Sequence, residues 1–147
     1  MKIREADKSD ISSILDLYAQ PSIDNGERLC LNEAQKIFGL MKSYPYYKIF
    51  VAELENQVVG TLTLLIVPNM GHSGSSSGIV ESVAVAPDRH RSGIGKKLMS
   101  FVLDECERLG CYKLTLSANL KREQAHGFYE SLGFKKHGYS FVVKVTS

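Results

Sequence analysis

Between a run of β-branched residues and a run with helical spacing, the chain reads Val83-Ala84-Val85-Ala86-Pro87-Asp88-Arg89-His90-Arg91-Ser92-Gly93-Ile94-Gly95-Lys96-Lys97-Leu98. Glycines at the head of a helix let backbone N–H groups approach an anion closely, and the helix dipole adds about half a positive charge there. The segment therefore suits a phosphate, and Arg89, Arg91, Lys96 and Lys97 surround it with positive charge. A dinucleotide fingerprint would need a third small residue where Leu98 stands. A Walker A loop would need glycine at His90 and Ser or Thr at Lys97. Both are disfavoured. A tight turn with solvated basic residues stays open as the plainer reading.

The elements that must position this segment follow from spacing. Lys2 to Ala6 reads as a strand, and Ser9 or Asp10 as the cap of a helix carrying Ile11, Ile14, Leu15 and Tyr18 on one side. After a loop from Pro21 to Cys30, Asn32 is expected to cap a second helix with Ala34, Ile37, Phe38 and Met41. Tyr46 to Leu54 and Val58 to Val67 form strands joined by a hairpin-length connection. Ile79 to Ala86 is a third long strand, reached through the Gly- and Ser-rich segment from Pro68 to Gly78, which reads as a connector or a lid.

From Gly93 to Leu109 the apolar residues recur at three and four, and Gly110 stops the helix. Tyr112 to Leu116 is a strand, Arg122 to Leu132 a helix, and Phe134 to Thr146 two short strands turned at Gly138. Neighbouring strands first, then strands alternating with helices, give an α/β (α+β) fold. Its mixed, mostly antiparallel sheet of six to seven strands carries helices on both faces. The 147 residues form one domain, 1–147.

Eighteen basic residues against sixteen acidic ones leave a net charge of +2, too balanced for nucleic-acid or membrane-surface binding as the main activity. The apolar run Val58 to Val67 is about half the roughly 20 residues that span a bilayer. Charge appears at once in Met1-Lys2-Ile3-Arg4-Glu5, so a cytoplasmic location is expected. Cys30, Cys106 and Cys111 lack metal spacing and read as reduced thiols; no metal is expected. His72 and His137 read as surface residues.

Pro87 through Leu98 resembles the pyrophosphate-binding motif of the GCN5-related N-acetyltransferases (GNAT), Gln/Arg-x-x-Gly-x-Gly/Ala. The glycines are Gly93 and Gly95, and the Gln/Arg position falls on His90. Ala125-His126-Gly127-Phe128-Tyr129-Glu130-Ser131-Leu132-Gly133-Phe134 resembles the family's second signature, A-x-x-F-Y-E followed by a GF turn. Ile79 to Val85 and Leu109 to Leu114 are similar to segments of glucosamine-6-phosphate N-acetyltransferases.

The resemblance implies the acyl-CoA N-acyltransferase fold and acetyl transfer from acetyl-CoA, as co-substrate, to a primary amine of a small molecule or peptide by direct attack in a ternary complex. It assigns the cofactor to His90, Arg91, Ser92, Gly93, Ile94, Gly95 and Lys96, to backbone amides of Val83 and Val85, and to Asn119 and Phe128. His126 could touch cofactor or acceptor, or lie on the helix surface. Tyr129 matches the family's tyrosine that protonates the departing thiolate. Glu81, a lone carboxylate in an apolar strand, is the candidate base through a water, its pKa expected to rise on burial. The alternative is a strand-end carboxylate paired with a lysine. The acceptor is assigned to Ser22 to Arg28, Asn69, Glu81 and Tyr139, with Asp24, Glu27 and Glu33 either recruiting a cation or simply solvated. Aminoglycoside, amino acid, polyamine, amino sugar and peptide N-terminus all remain open. A homodimer is the family's expectation. The rival reading is a noncatalytic acyl-CoA-binding regulatory module, which needs the cradle but neither Glu81 nor Tyr129.

Overall fold

The computed structural model describes residues 1–146. The chain divides into two compact units, Met1–Leu116 and the segment from Ser117 onward. The first unit holds β1 (Lys2–Glu5), α1 (Ile11–Tyr18), α2 (Leu31–Lys42), β2 (Tyr47–Leu54), β3 (Gln57–Val67), β4 (Ser77–Val85), α3 (Ile94–Arg108) and β5 (Lys113–Leu116). Its sheet runs β1-β2-β3-β4-β5, antiparallel except for the parallel pair of β4 and β5, which α3 connects. The second unit carries α4 (Glu123–Ser131).

Alternation along β2 and β3 assigns the two faces. Val51 packs with Ala6 and Ile14, joined by Tyr18 and Phe38, so α1 and α2 cover one side. Phe50 meets Phe101 of α3 at 5.0 Å between ring centroids, so α3 covers the other. Leu62, Leu64, Leu98, Met99 and Val102 are sealed between α3 and the sheet. Burying each stabilises the fold by about 1.5–3 kcal/mol. Position 60 sets how closely α3 approaches. A Cβ on Gly60 would lie 2.8 Å from Ile94 Cγ2 and 3.1 Å from Leu98 Cδ1.

Several boundaries differ from expectation. Asp10 stands at the N-cap of α1, as one of the two expected residues, but makes no side-chain cap bond to it. The capping bonds belong to the 3-10 turn Lys8–Asp10 just before: Asp7 Oδ1 accepts from Ser9 N at 2.8 Å, while Asp10 Oδ2 accepts from Asp7 N at 2.8 Å. The buried Asp10 carboxylate is also gripped by Arg4 at 2.7 and 2.9 Å. Cys30 rather than Asn32 stands at the start of α2. β4 begins at Ser77, because the preceding segment is tied back by Asn69 Nδ2 donating to the Ser75 carbonyl at 2.8 Å. His72 is exposed, as expected, and stacks there on Tyr112 at 4.2 Å between centroids.

Among the described residues the sheet has five strands, not six or seven. Phe134 to Thr146 forms no strand among the described residues, and Tyr139, Phe141, Val142, Val143 and Val145 are exposed. The apolar, β-branched pattern expresses a fit to a half-buried pleat, and the second unit supplies no strand against which to pleat. Cys106 is buried at α3, where burial pushes its thiol up to about 12, in keeping with inert packing. No helix among the described residues is long and apolar enough to cross a membrane.

Candidate active site

β4 carries a bulge. Its pairing with β3 runs Thr61↔Ala84 and then Thr63↔Glu81, so β4 holds one residue more than its partner between those points. Ser82 absorbs the excess in the left-handed region, with φ of 53°. Beyond the bulge, Ala86 N donates to Val59 O at 2.9 Å, and alternation turns Val85 away from β3. The Val85 carbonyl accepts instead from Gln20 Nε2 and His90 Nε2, both at 3.0 Å. The ladder to β5 ends at Val80↔Leu116, so Val83 and Val85 lie past its last rung. A preorganised amide in such a position can polarise a carbonyl oxygen, an effect of about 3 kcal/mol where measured in other enzymes.

A short connection leads from Val85 to the next donors. After a 3-10 turn at Pro87–Arg89, Arg91 (φ 64°) and Gly93 (φ 86°) both take left-handed conformations, which bends the chain into the start of α3. Gly93 reaches this conformation without a Cβ penalty; Arg91 does not. The first helical bond is Lys97 N to Gly93 O at 3.1 Å, and no side chain caps the helix. The N–H groups of Ile94, Gly95 and Lys96 thus lack acceptors within the helix. Buried Ile94 pins this turn to β3 at Gly60, while Arg91, Ser92 and Lys96 are exposed. Ser92 Oγ donates to the Arg89 carbonyl. Uncapped amides, a nest of left-handed residues and nearby cations fit a diphosphate.

Glu81 departs from its expected surroundings: it is exposed, so the burial anticipated for it is absent. It stands opposite Thr63, and its charge is the second cause, after desolvation, that pushes the Tyr47 hydroxyl pKa up. Tyr47, Thr63 and Ser82 border a cavity of about 240 Å³ under α1 and α2. Of the acceptor residues anticipated from sequence, Asp24, Glu27 and Arg28 line it; Ser22, Ile23, Asn25, Gly26, Asn69, Glu81 and Glu33 do not, and Tyr139 is an exposed residue of the second unit. Tyr18 also lines it, its hydroxyl pKa raised by burial. Sequence reasoning missed Tyr18, Tyr47 and Thr63. Tyr18 sits on the apolar stripe of α1, and its hydroxyl was the available signal. Gln20 and Ser82 gave none.

In the second unit, the Asn119 carbonyl accepts from His126 Nε2 at 2.8 Å and from Arg122 N at 2.9 Å. Asn119 Oδ1 accepts from Lys121 N at 2.9 Å, so that oxygen is occupied by a local turn. Tyr129 is half-buried between Phe128 and Phe134, with centroids at 5.1 and 5.9 Å. Burial raises its pKa, opposed by the Arg122 charge. Gly133 (φ 95°) makes the anticipated turn, and Phe134 N donates to Tyr129 O at 3.1 Å.

The sequence model of the Acetyltransferase (GNAT) family matches residues 11–134. The chain belongs to this family. Over 141 residues this GNAT chain is 28% identical to the glucosamine 6-phosphate N-acetyltransferase of Trypanosoma brucei brucei, covering 93% of this chain and 90% of that protein. A crystal structure of a Trypanosoma brucei acetyltransferase superposes with a TM-score of 0.85 at 27% identity, covering 98% of this chain and 99% of that one. The glucosamine-6-phosphate N-acetyltransferase of Arabidopsis thaliana superposes with a TM-score of 0.86 at 25% identity, covering 99% and 98%. This GNAT protein is an acetyl-CoA-dependent N-acetyltransferase.

Proposed function

We propose that the protein acetylates a primary amine of a small molecule by direct attack on acetyl-CoA in a ternary complex. The observation that carries this reading is the short path from the β4 bulge to the uncapped start of α3, closed by the His90 to Val85 bond. One end of that path offers amides suited to a developing oxyanion, the other amides suited to a diphosphate.

Acetyl-CoA supplies an acyl group already activated as a thioester. The chain's residues then divide the work. Ile94, Gly95 and Lys96 amides hold the diphosphate, with Arg91 and Lys96 adding charge and Gly93 shaping the turn. The Val83 or Val85 amide polarises the thioester carbonyl. Glu81, open to solvent beside Tyr47, accepts the amine's proton through a water. Tyr129 protonates the departing thiolate. Its raised pKa keeps the hydroxyl a donor at neutral pH, and its place in the second motif supports the assignment. Asn119 and Phe128 are assigned to the carrier arm.

A thermal-shift panel with acetyl-CoA, CoA, NADH and ATP tests the reading. Ligand at 100 times its dissociation constant stabilises by about 2.7 kcal/mol. Acetyl-CoA and CoA are expected to raise the melting temperature; a rise with NADH or ATP alone rejects the assignment. Thiol release with an amine library then reports transfer.

A further inference from the structure

The cavity under α1 and α2 narrows the acceptor, an inference that rests on the acetyl-transfer reading above. We propose that the acceptor is a compact primary amine with an uncharged, apolar body, of the arylalkyl or branched-alkyl class, and that amines bearing a phosphate are poor substrates.

The walls are the first reason. Ile11, Leu15, Ala34, Ile37, Phe38 and Met41 face the cavity from the two helices. Sugar hydroxyls placed against them would lose water and gain no partner. The polar groups gather elsewhere: the hydroxyls of Tyr18, Tyr47 and Thr63, together with Ser82 on the bulge, border the sheet side. A ligand with one polar end and an apolar remainder matches this division, and its polar end then lies against the strand that carries Glu81, Val83 and Val85.

Charge is the second reason. Asp24 and Glu27 line the cavity, and an ammonium entering it meets two carboxylates. Asp24 N donates to the Tyr18 carbonyl at 3.1 Å, which holds this loop at the end of α1. Arg28 is the only cationic side chain lining the cavity among the described residues, and it is engaged. Its Nε donates to Asp16 Oδ1 at 2.9 Å, and its Nη2 to Ser12 Oγ at 2.9 Å and the Ser12 carbonyl at 3.2 Å. A phosphate needs several charge-assisted donors at once; here it meets two like charges and a guanidinium already bound.

The test compares kcat/KM by thiol release for 2-phenylethylamine, 3-methylbutylamine, glucosamine 6-phosphate and spermidine. The first two are expected to exceed the last two at least tenfold. Ile37 is about half exposed, so Ile37→Lys places a cation on the wall without a buried cavity change. It should cut kcat/KM for 2-phenylethylamine at least tenfold and leave the acetyl-CoA-induced rise in melting temperature intact. Glu27→Gln provides a milder variant, expected to weaken saturation by the arylalkylamine several-fold, as a higher KM, with kcat unchanged. Equal or better turnover of glucosamine 6-phosphate or spermidine, or indifference to both variants, overturns the proposal. So does a clear acetyl-CoA shift with no turnover of any of the four, which spares the acetyl-transfer reading. No acetyl-CoA shift and no turnover overturns both.

Discussion

His90 donates from Nε2 to the carbonyl of Val85 across 3.0 Å, so the residue at the first position of the glycine motif is turned back onto the end of β4. It acts there as a spacer between the bulge and the helix start. Removing one such bond costs about 1 kcal/mol, roughly fivefold in an equilibrium. His90→Ala is therefore expected to raise the KM for acetyl-CoA about three- to tenfold and to change kcat less than twofold in steady-state assays. An unchanged KM would remove the positioning role.

Gly60 belongs to β3, far back along the chain from the glycine motif, yet it meets Ile94, the first residue of α3. Gly60→Ala must move that helix start or distort β3. Overpacking of this kind costs about 1–3 kcal/mol. Chemical denaturation should register that loss, and acetyl-CoA should bind more weakly, because the displaced turn carries the amides of Ile94 and Gly95.

Tyr129→Phe removes a hydroxyl whose ring lies between two other aromatics, so the fold should tolerate it. A general acid contributes about 10²–10⁴-fold. The expected outcome is a drop in kcat of at least tenfold, with CoA affinity by calorimetry nearly unchanged. The wild-type pKa is raised above the ordinary 10.0, so any alkaline limb of kcat due to this group lies above that pH and should vanish in the variant.

Asp10 supplies a stability test. Hydrogen bonds from Arg4 hold its carboxyl below the ordinary value of 3.8, against the opposing effect of burial. A depressed folded pKa means that the contribution is complete above 3.8 and is lost as pH falls through the lower folded value. Asp10→Asn should cost about 2 kcal/mol near neutrality, since bonds to charged groups contribute roughly 1.5–3 kcal/mol. Melting curves of the two proteins should converge as pH falls below 3.8.

Much of this arrangement could be read from spacing. The apolar repeat of α3, the β-branched run of β4 and the pair Gly93 and Gly95 mark the motif because each is a local property. The bulge follows from no residue type, since nothing in Ser82 itself demands a left-handed backbone; only the family resemblance places one near Val83 and Val85, and the register of β3 imposes it. Glu81 misleads for a related reason: its neighbours are apolar, but exposure depends on what stands over the pleat. The terminal strands fail similarly. Their residues favour a sheet, and favour alone makes no ladder. The cavity depends on how two helices seat across a sheet: the anticipated Asp24, Glu27 and Arg28 line it, whereas Tyr18, Tyr47 and Thr63 join them only through that packing.

Gln20 completes a mechanical connection. Its side-chain amide donates to the carbonyl of Leu17 at 2.8 Å and to that of Val85 at 3.0 Å, fastening the last turn of α1 to the final residue of β4. Any shift of α1 on filling the space beneath it must either carry Val85 along or break a bond of about 1 kcal/mol. A single glutamine thus works as a tie rod between roof and floor, and whatever lifts the roof also pulls on the strand end where the acyl group would be held.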